Sequence, residues 1–146
     1  MDRKEFLKTC GFACLGFVGI ATLLESCTTT KLVQTTSKNN LLTIAKTEFI
    51  EVKKDKTKTR RHILVKTSEL DFPIVVYRFS DSEFSALLLR CTHQGSELNV
   101  NGDMLTCPAH GSEFSNKGKI IQGPADKILT SYNVSSDSNN IYIHLS

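Results

Sequence analysis

Residues 84–114 read FSALLLRCTHQGSELNVNGDMLTCPAHGSEF, and both the fold and the chemistry of the chain turn on this stretch. Phe84 to Leu89 reads as a strand. Leu98 to Val100 and Met104 to Thr106 read as two more, joined by Asn101-Gly102-Asp103, where Asn-Gly supplies the positive φ angles of a tight hairpin. Two matching loops leave strand ends: Cys91-Thr92-His93-Gln94-Gly95 directly after Arg90, and Cys107-Pro108-Ala109-His110-Gly111 directly after Thr106. Each loop offers one soft thiolate and one imidazole, and its Gly or Pro lets the backbone curl so that the two side chains converge. Three readings fit that inventory: a tetrahedral zinc site, a [2Fe–2S] cluster with His on one iron, or a disulfide closing the 15 residues between Cys91 and Cys107. Zinc fingers pair Cys with Cys and His with His, whereas each loop here is mixed.

Outward from the loops the pattern stays β. Pro73 to Phe79 is rich in β-branched and aromatic residues and is separated from Phe84 by the turn-forming Ser80-Asp81-Ser82. Upstream, Leu41 to Val52 holds a strand, and the charged stretch Lys53 to Arg61 reads as a solvated hairpin loop leading into His62 to Val65. Downstream, Ile120-Ile121, Ile128 to Val134 and Ile141 to Leu145 complete the set. No stretch after residue 40 has helical periodicity, so the domain, residues 41–146, is expected to be all-β.

Composition agrees with a single globular domain. With 146 residues, 40% hydrophobic and 23% charged, the chain is neither disordered, collagenous nor multi-spanning, and its net charge of +3 is too small and scattered to imply a nucleic-acid partner. Three of the five cysteines, Cys10, Cys14 and Cys27, lie in the first 27 residues. There, basic Arg3, Lys4 and Lys8 precede an apolar run from Cys10 to Leu24, the anatomy of a signal peptide. About 15 apolar residues cover ~22 Å of helix, short of the ~30 Å hydrocarbon core. Leu24-Glu25-Ser26-Cys27 resembles a bacterial lipobox, with Cys27 as the lipidated residue, although Glu25 stands where a small or apolar residue is usual. Arg3-Lys4 resembles a twin-arginine export motif with Lys in the second position. Residues 28–40, rich in Thr, Ser and Asn, then read as a flexible tether.

The two loops, with Ser112-Glu113-Phe114 after the second, resemble the cluster-binding loops of the Rieske iron–sulfur family, and Gly118-Lys119-Ile120 and Gly123-Pro124-Ala125 extend the likeness over residues 84–134. That resemblance implies an antiparallel β-sandwich with one [2Fe–2S] cluster per chain. Cys91 and Cys107 would hold the buried iron, and His93 and His110 the outer one. Gly95, Pro108, Ser112 and Phe114 would surround them, with Ser112 as the hydroxyl that donates to a bridging sulfide and Phe114 in the place of a Tyr. Ser96 and Ala109 stand where quinol-oxidising members carry a disulfide, and the 13 residues between His93 and Cys107 suggest a trimmed hairpin. Leu98 reads as an ordinary buried strand residue, and His62 and His144 as non-ligands. The implied function is one-electron transfer in an exported bacterial protein, lipid-anchored on the periplasmic side of a membrane and serving redox partner proteins such as a c-type cytochrome. An iron–sulfur subunit of a quinol–cytochrome c reductase-like or periplasmic oxidase complex is the alternative, and in neither case is the chain an enzyme by itself. From another class, a zinc-stabilised binding module remains.

Overall fold

The computed structural model describes residues 30–146, so the signal-peptide segment with Arg3, Lys4 and Cys27 lies outside the described residues. The strands are β1 (Leu32–Gln34), β2 (Leu41–Ala45), β3 (Ile50–Lys53), β4 (Lys56–Thr59), β5 (His62–Lys66), β6 (Ile74–Arg78), β7 (Phe84–Leu88), β8 (Asn99–Asn101), β9 (Met104–Thr106), β10 (Glu113–Ser115), β11 (Ile120–Gln122), β12 (Ser131–Ser136) and β13 (Asn140–His144). They form a seven-stranded sheet in the order β1-β5-β6-β7-β12-β13-β2, a four-stranded sheet in the order β11-β10-β9-β8, and a separate two-stranded ribbon, β3-β4. The expected all-β class holds, and every pairing is antiparallel except β1 with β5.

Strand β6 explains how two cores share one sheet. All four residues Ile74 to Tyr77 are buried because alternate side chains point to opposite faces. Ile74 and Val76 join Leu42, Ile44, Ile63, Ile141 and Ile143, so the two ends of the large sheet curl around a common interior. Val75 and Tyr77 point the other way, into a second core with Leu87, Leu89, Leu98, Leu105, Phe114 and both cysteines, lying between the large sheet and the small one. The Tyr77 hydroxyl donates to the Gly102 carbonyl at 2.9 Å, fastening the turn between β8 and β9 to the large sheet. Burial raises the pKa of that phenol well above its ordinary value, so it remains a donor at any ordinary pH.

Three local expectations are corrected, and one is refined. Leu41 to Val52 holds the expected strand at Leu41–Ala45, after which a 3-10 turn at Lys46–Phe49 buries Phe49 and carries the chain out of the large sheet, so Val52 belongs to the ribbon. Lys53 to Arg61 is more than a loop, since Lys56–Thr59 pairs with β3 around a two-residue turn in which Lys54 and Asp55 have φ of 38° and 62°. In the β8–β9 turn, Gly102 alone takes a positive φ, 62°, while Asn101 closes β8 opposite Met104. Leu32–Gln34, inside the segment expected as a flexible tether, is a strand with Leu32 opposite Leu64, and the Ser37 hydroxyl donates to Glu69 at 3.1 Å. Its sequence, Lys31-Leu32-Val33-Gln34, is too short to show a period, and it is ordered by the free edge of β5.

Candidate metal centre

The two loops close in the same way. In the first, the Cys91 N–H donates to the Ser96 carbonyl at 2.8 Å and the Gly95 N–H donates to the Cys91 carbonyl at 2.8 Å. In the second, Cys107 N–H donates to Ser112 at 2.8 Å and Gly111 N–H to Cys107 at 3.0 Å. Gly95 and Gly111 sit at matching places with φ of 78° and 77°, a left-handed conformation that lets each loop reverse and that a side chain would strain. Backbone geometry therefore presents both Cys-to-His segments as near-copies, facing each other from two strand ends.

Burial divides the four donors into two pairs. Cys91 and Cys107 are 2% and 3% exposed and pack with Leu98, Leu105 and Phe114 in the core between the sheets. His93 and His110 are exposed, with ring centroids 5.1 Å apart and the rings edge to face. Both cysteines are free thiols. Burial raises the pKa of the Cys107 thiol, but the Ala109 N–H, the Cys91 thiol and the His110 N–H aimed at its sulfur outweigh this, and the net shift is downward. Backbone donors of the second loop, together with the Cys91 thiol of the first, thus favour the Cys107 thiolate.

Among the described residues no three His, Cys, Asp or Glu side chains are grouped around a single metal position. Two buried sulfurs beneath two exposed imidazoles suit a centre with two metal ions, each taking two protein ligands, better than a tetrahedral zinc with four.

The surrounding residues are tied down individually. Ser112 is fully buried, and its hydroxyl oxygen accepts the Ala125 N–H at 3.0 Å, leaving the hydroxyl proton free to donate. This contact brings Gly123-Pro124-Ala125 against the site as a third loop, whose contact with Ser112 the sequence pattern did not disclose. The Thr92 hydroxyl donates to the Lys127 carbonyl at 2.6 Å, and Gln122 donates to the Gly111 carbonyl at 3.2 Å, so each cysteine loop is held by the segment 122–127. Pro108 is exposed at the tip of the second loop, and Phe114 is fully buried in β10, opposite Leu105. Strand β10 itself had no clear signal, since Glu113-Phe114-Ser115 is three residues with one apolar position. Leu98 lies in the cysteine core, 3% exposed. His62 and His144 are elsewhere, beside Thr30 and Ser135 respectively.

A family model for the Rieske [2Fe–2S] domain matches residues 46–133. Among solved structures the chain is similar to the cyanobacterial plasma membrane Rieske protein PetC3 from Synechocystis PCC 6803, with 30% identity and a TM-score of 0.49 over 57% of this chain and 85% of that one. It is also similar to a chain in the complex of reduced oxygenase and oxidised ferredoxin of carbazole 1,9a-dioxygenase, with 26% identity and a TM-score of 0.47 over 58% and 81% of the two chains. Dicamba monooxygenase shares 29% identity at a TM-score of 0.42, over 59% of this chain and 29% of that one. Comparison with curated protein sequences gives no match.

Proposed function

The chain belongs to the Rieske family, whose domain binds a [2Fe–2S] cluster and transfers electrons, and from that premise we propose that Cys91 and Cys107 hold one iron, His93 and His110 the other, in an exported, lipid-tethered electron carrier. The observation that carries the ligand assignment is the pairing of loops: equivalent backbone turns that bury both thiols and expose both imidazoles. A [2Fe–2S] cluster bound there supplies reversible one-electron storage, and neutral imidazole in place of thiolate raises its potential relative to an all-cysteine centre.

The chain's own residues do the rest. Cys91 and Cys107, in contact with Leu98, Leu105 and Phe114, keep the sulfur side dry. His93 and His110 offer ring edges to a docked redox protein and a short route through which an electron leaves. Ser112, whose oxygen accepts the Ala125 N–H, keeps its own proton to donate to a bound cluster, which would favour added negative charge there. The partner class is a redox protein in the exported compartment, a c-type cytochrome or a membrane oxidoreductase.

Metal analysis tests the assignment. The wild-type protein should contain two iron and two acid-labile sulfides per chain, whereas Cys91→Ser and Cys107→Ser should contain neither and lose thermal stability, because ligand-binding energy is folding energy here. Stoichiometric zinc without labile sulfide would instead establish the zinc module.

A further inference from the structure

The β3–β4 ribbon concentrates the positive charge of the chain and spends none of it at the metal centre. Lys53, Lys54, Lys56, Lys58, Arg60 and Arg61 oppose only Glu51 and Asp55, a net +4 within residues 50–61, where the whole chain carries +3. Lys53 and Arg60 reach Glu51 at 3.2 and 3.5 Å, and Arg61 reaches Asp103 at 2.6 Å. Among the described residues Lys54, Lys56 and Lys58 make no ion pair. The register sets Lys53 directly opposite Lys56 and Lys58 directly opposite Glu51, so on this face three lysines share one carboxylate, Glu51, which Lys53 already bridges. Val52 stands 72% exposed near the tip of the ribbon, and Ile50 is 42% exposed. Lysines in excess of carboxylate on one face of the ribbon, with exposed Ile50 and Val52 on the other, suit a lipid headgroup layer at its tip better than bulk water.

The path of the chain supplies an independent observation. Because β1 runs parallel to β5 with Leu32 opposite Leu64, Thr30 lies beside His62, immediately after Arg60-Arg61 at the base of the ribbon. Thr30, Lys58, Arg60, Arg61 and His62 line one cavity of about 160 Å³. The N-terminal segment therefore joins the domain where the ribbon leaves it. At the opposite end of the β8–β9 hairpin from the Arg61–Asp103 pair stand Cys107 and the metal centre.

We propose that the tip of this ribbon docks on an anionic membrane surface, with Lys53, Lys54, Lys56 and Lys58 against lipid phosphates and Val52 at the headgroup boundary. The domain is then held with its histidine loops turned toward the aqueous phase, so the redox partner meets it from water. The inference rests on the membrane-tethered reading for its setting, but the contact itself requires no acyl chain.

The test uses the full, cluster-loaded chain and a variant carrying Lys53→Gln, Lys54→Gln, Lys56→Gln and Lys58→Gln. Co-sedimentation is measured with vesicles of phosphatidylcholine alone and of phosphatidylcholine and phosphatidylglycerol at three to one. At roughly fivefold in partition per lysine near such a surface, the variant should bind the anionic vesicles at least about tenfold more weakly, and the neutral vesicles equally. The wild-type excess should vanish at high salt. Replacing the same four residues with Arg should retain binding, which separates charge from folding damage. Equal binding of wild type and Gln variant to anionic vesicles overturns the proposal, as does an equal loss on neutral vesicles. Unchanged vesicle binding with weakened electron transfer to an acidic protein also overturns it, and identifies a protein partner instead. Repeating the comparison with Cys27→Ala separates the two readings: the effect of the four lysines persists there even when the lipid-anchor reading fails.

Discussion

Ser112 and Phe114, both fully buried beside the cysteine loops, are the two positions expected to move the potential of a bound cluster in opposite directions. The Ser112 oxygen accepts the Ala125 N–H at 3.0 Å in a fully buried setting. Ser112→Ala therefore leaves that N–H unpaired and removes the hydroxyl expected to donate to a bound cluster. Leaving a buried donor unsatisfied costs ~1–3 kcal/mol, so the variant should lose both thermal stability and reduction potential. Phe114 has no polar atom, and Phe114→Tyr, which restores the hydroxyl found at this place in the family pattern, should raise the potential while leaving iron content unchanged. Potentiometric titration of the three proteins checks the order Phe114→Tyr above wild type above Ser112→Ala; an unchanged potential in Ser112→Ala would show that its hydroxyl points elsewhere. At this scale residue type and spacing singled out Cys91, His93, Cys107 and His110 as candidate ligands while leaving zinc, a cluster and a disulfide open, and the structure brings the two loops together. The Ala125 N–H could not be singled out, because a backbone donor looks the same at every position and only the fold brings it to Ser112.

Elements were legible where their hydrophobic period had room to repeat. Ile74–Arg78, Phe84–Leu88 and Met104–Thr106 lie within or on the expected strands, and each packs side chains into a core. Leu32–Gln34 and Glu113–Ser115 were missed because three residues carry no period, and both are strands only through the neighbour each pairs with. Lys56–Thr59 was missed for a different reason: a strand exposed throughout needs no hydrophobic alternation. The turn between β12 and β13 is set by side-chain chemistry instead. The Asp137 carboxylate accepts the N–H groups of Asn139 and Asn140 and the Tyr142 hydroxyl, at 2.8, 2.7 and 2.6 Å, and these bonds hold its pKa down at about 2. With the folded value depressed below the ordinary 3.8, the stabilisation is present above that value and is lost as pH falls from about 4 through about 2. Asp137→Ala should speed amide exchange at Asn139 and Asn140 near neutral pH, and the difference from wild type should close across that acid window. A difference unchanged down to pH 2 would mean the carboxylate is not what holds the turn.

For the whole molecule, the packing of residues 31–37 against β5 and Glu69 shortens the connection between Cys27 and the domain. Residues 27–31 span at most ~14 Å when fully extended, so a lipid on Cys27 would hold the domain close to the membrane instead of on the swinging 13-residue tether expected from sequence. Among the described residues no helix is long and apolar enough to cross a membrane. Export and lipidation are tested by fractionation: Cys27→Ala should abolish lipid labelling and release the protein from membranes, and changing Arg3 and Lys4 to Gln should leave precursor in the cytoplasm. Normal labelling of the first variant would remove the anchor from the account, and normal export of the second would remove the twin-arginine route. What the whole-molecule scale hid from sequence reasoning was placement: the charged stretch Lys53 to Arg61 is visible in the sequence, but not that it stands at the other end of the β8–β9 hairpin from the cysteine loops. The central claim is that two buried thiols and two exposed imidazoles together hold one [2Fe–2S] cluster. It is tested most directly by electron paramagnetic resonance of the dithionite-reduced protein and of its His110→Cys variant. The account predicts a rhombic signal with the low average g of a mixed Cys/His centre in the wild type, shifting toward that of an all-cysteine centre or disappearing in the variant; a silent wild-type protein, or a signal the substitution does not alter, would contradict it.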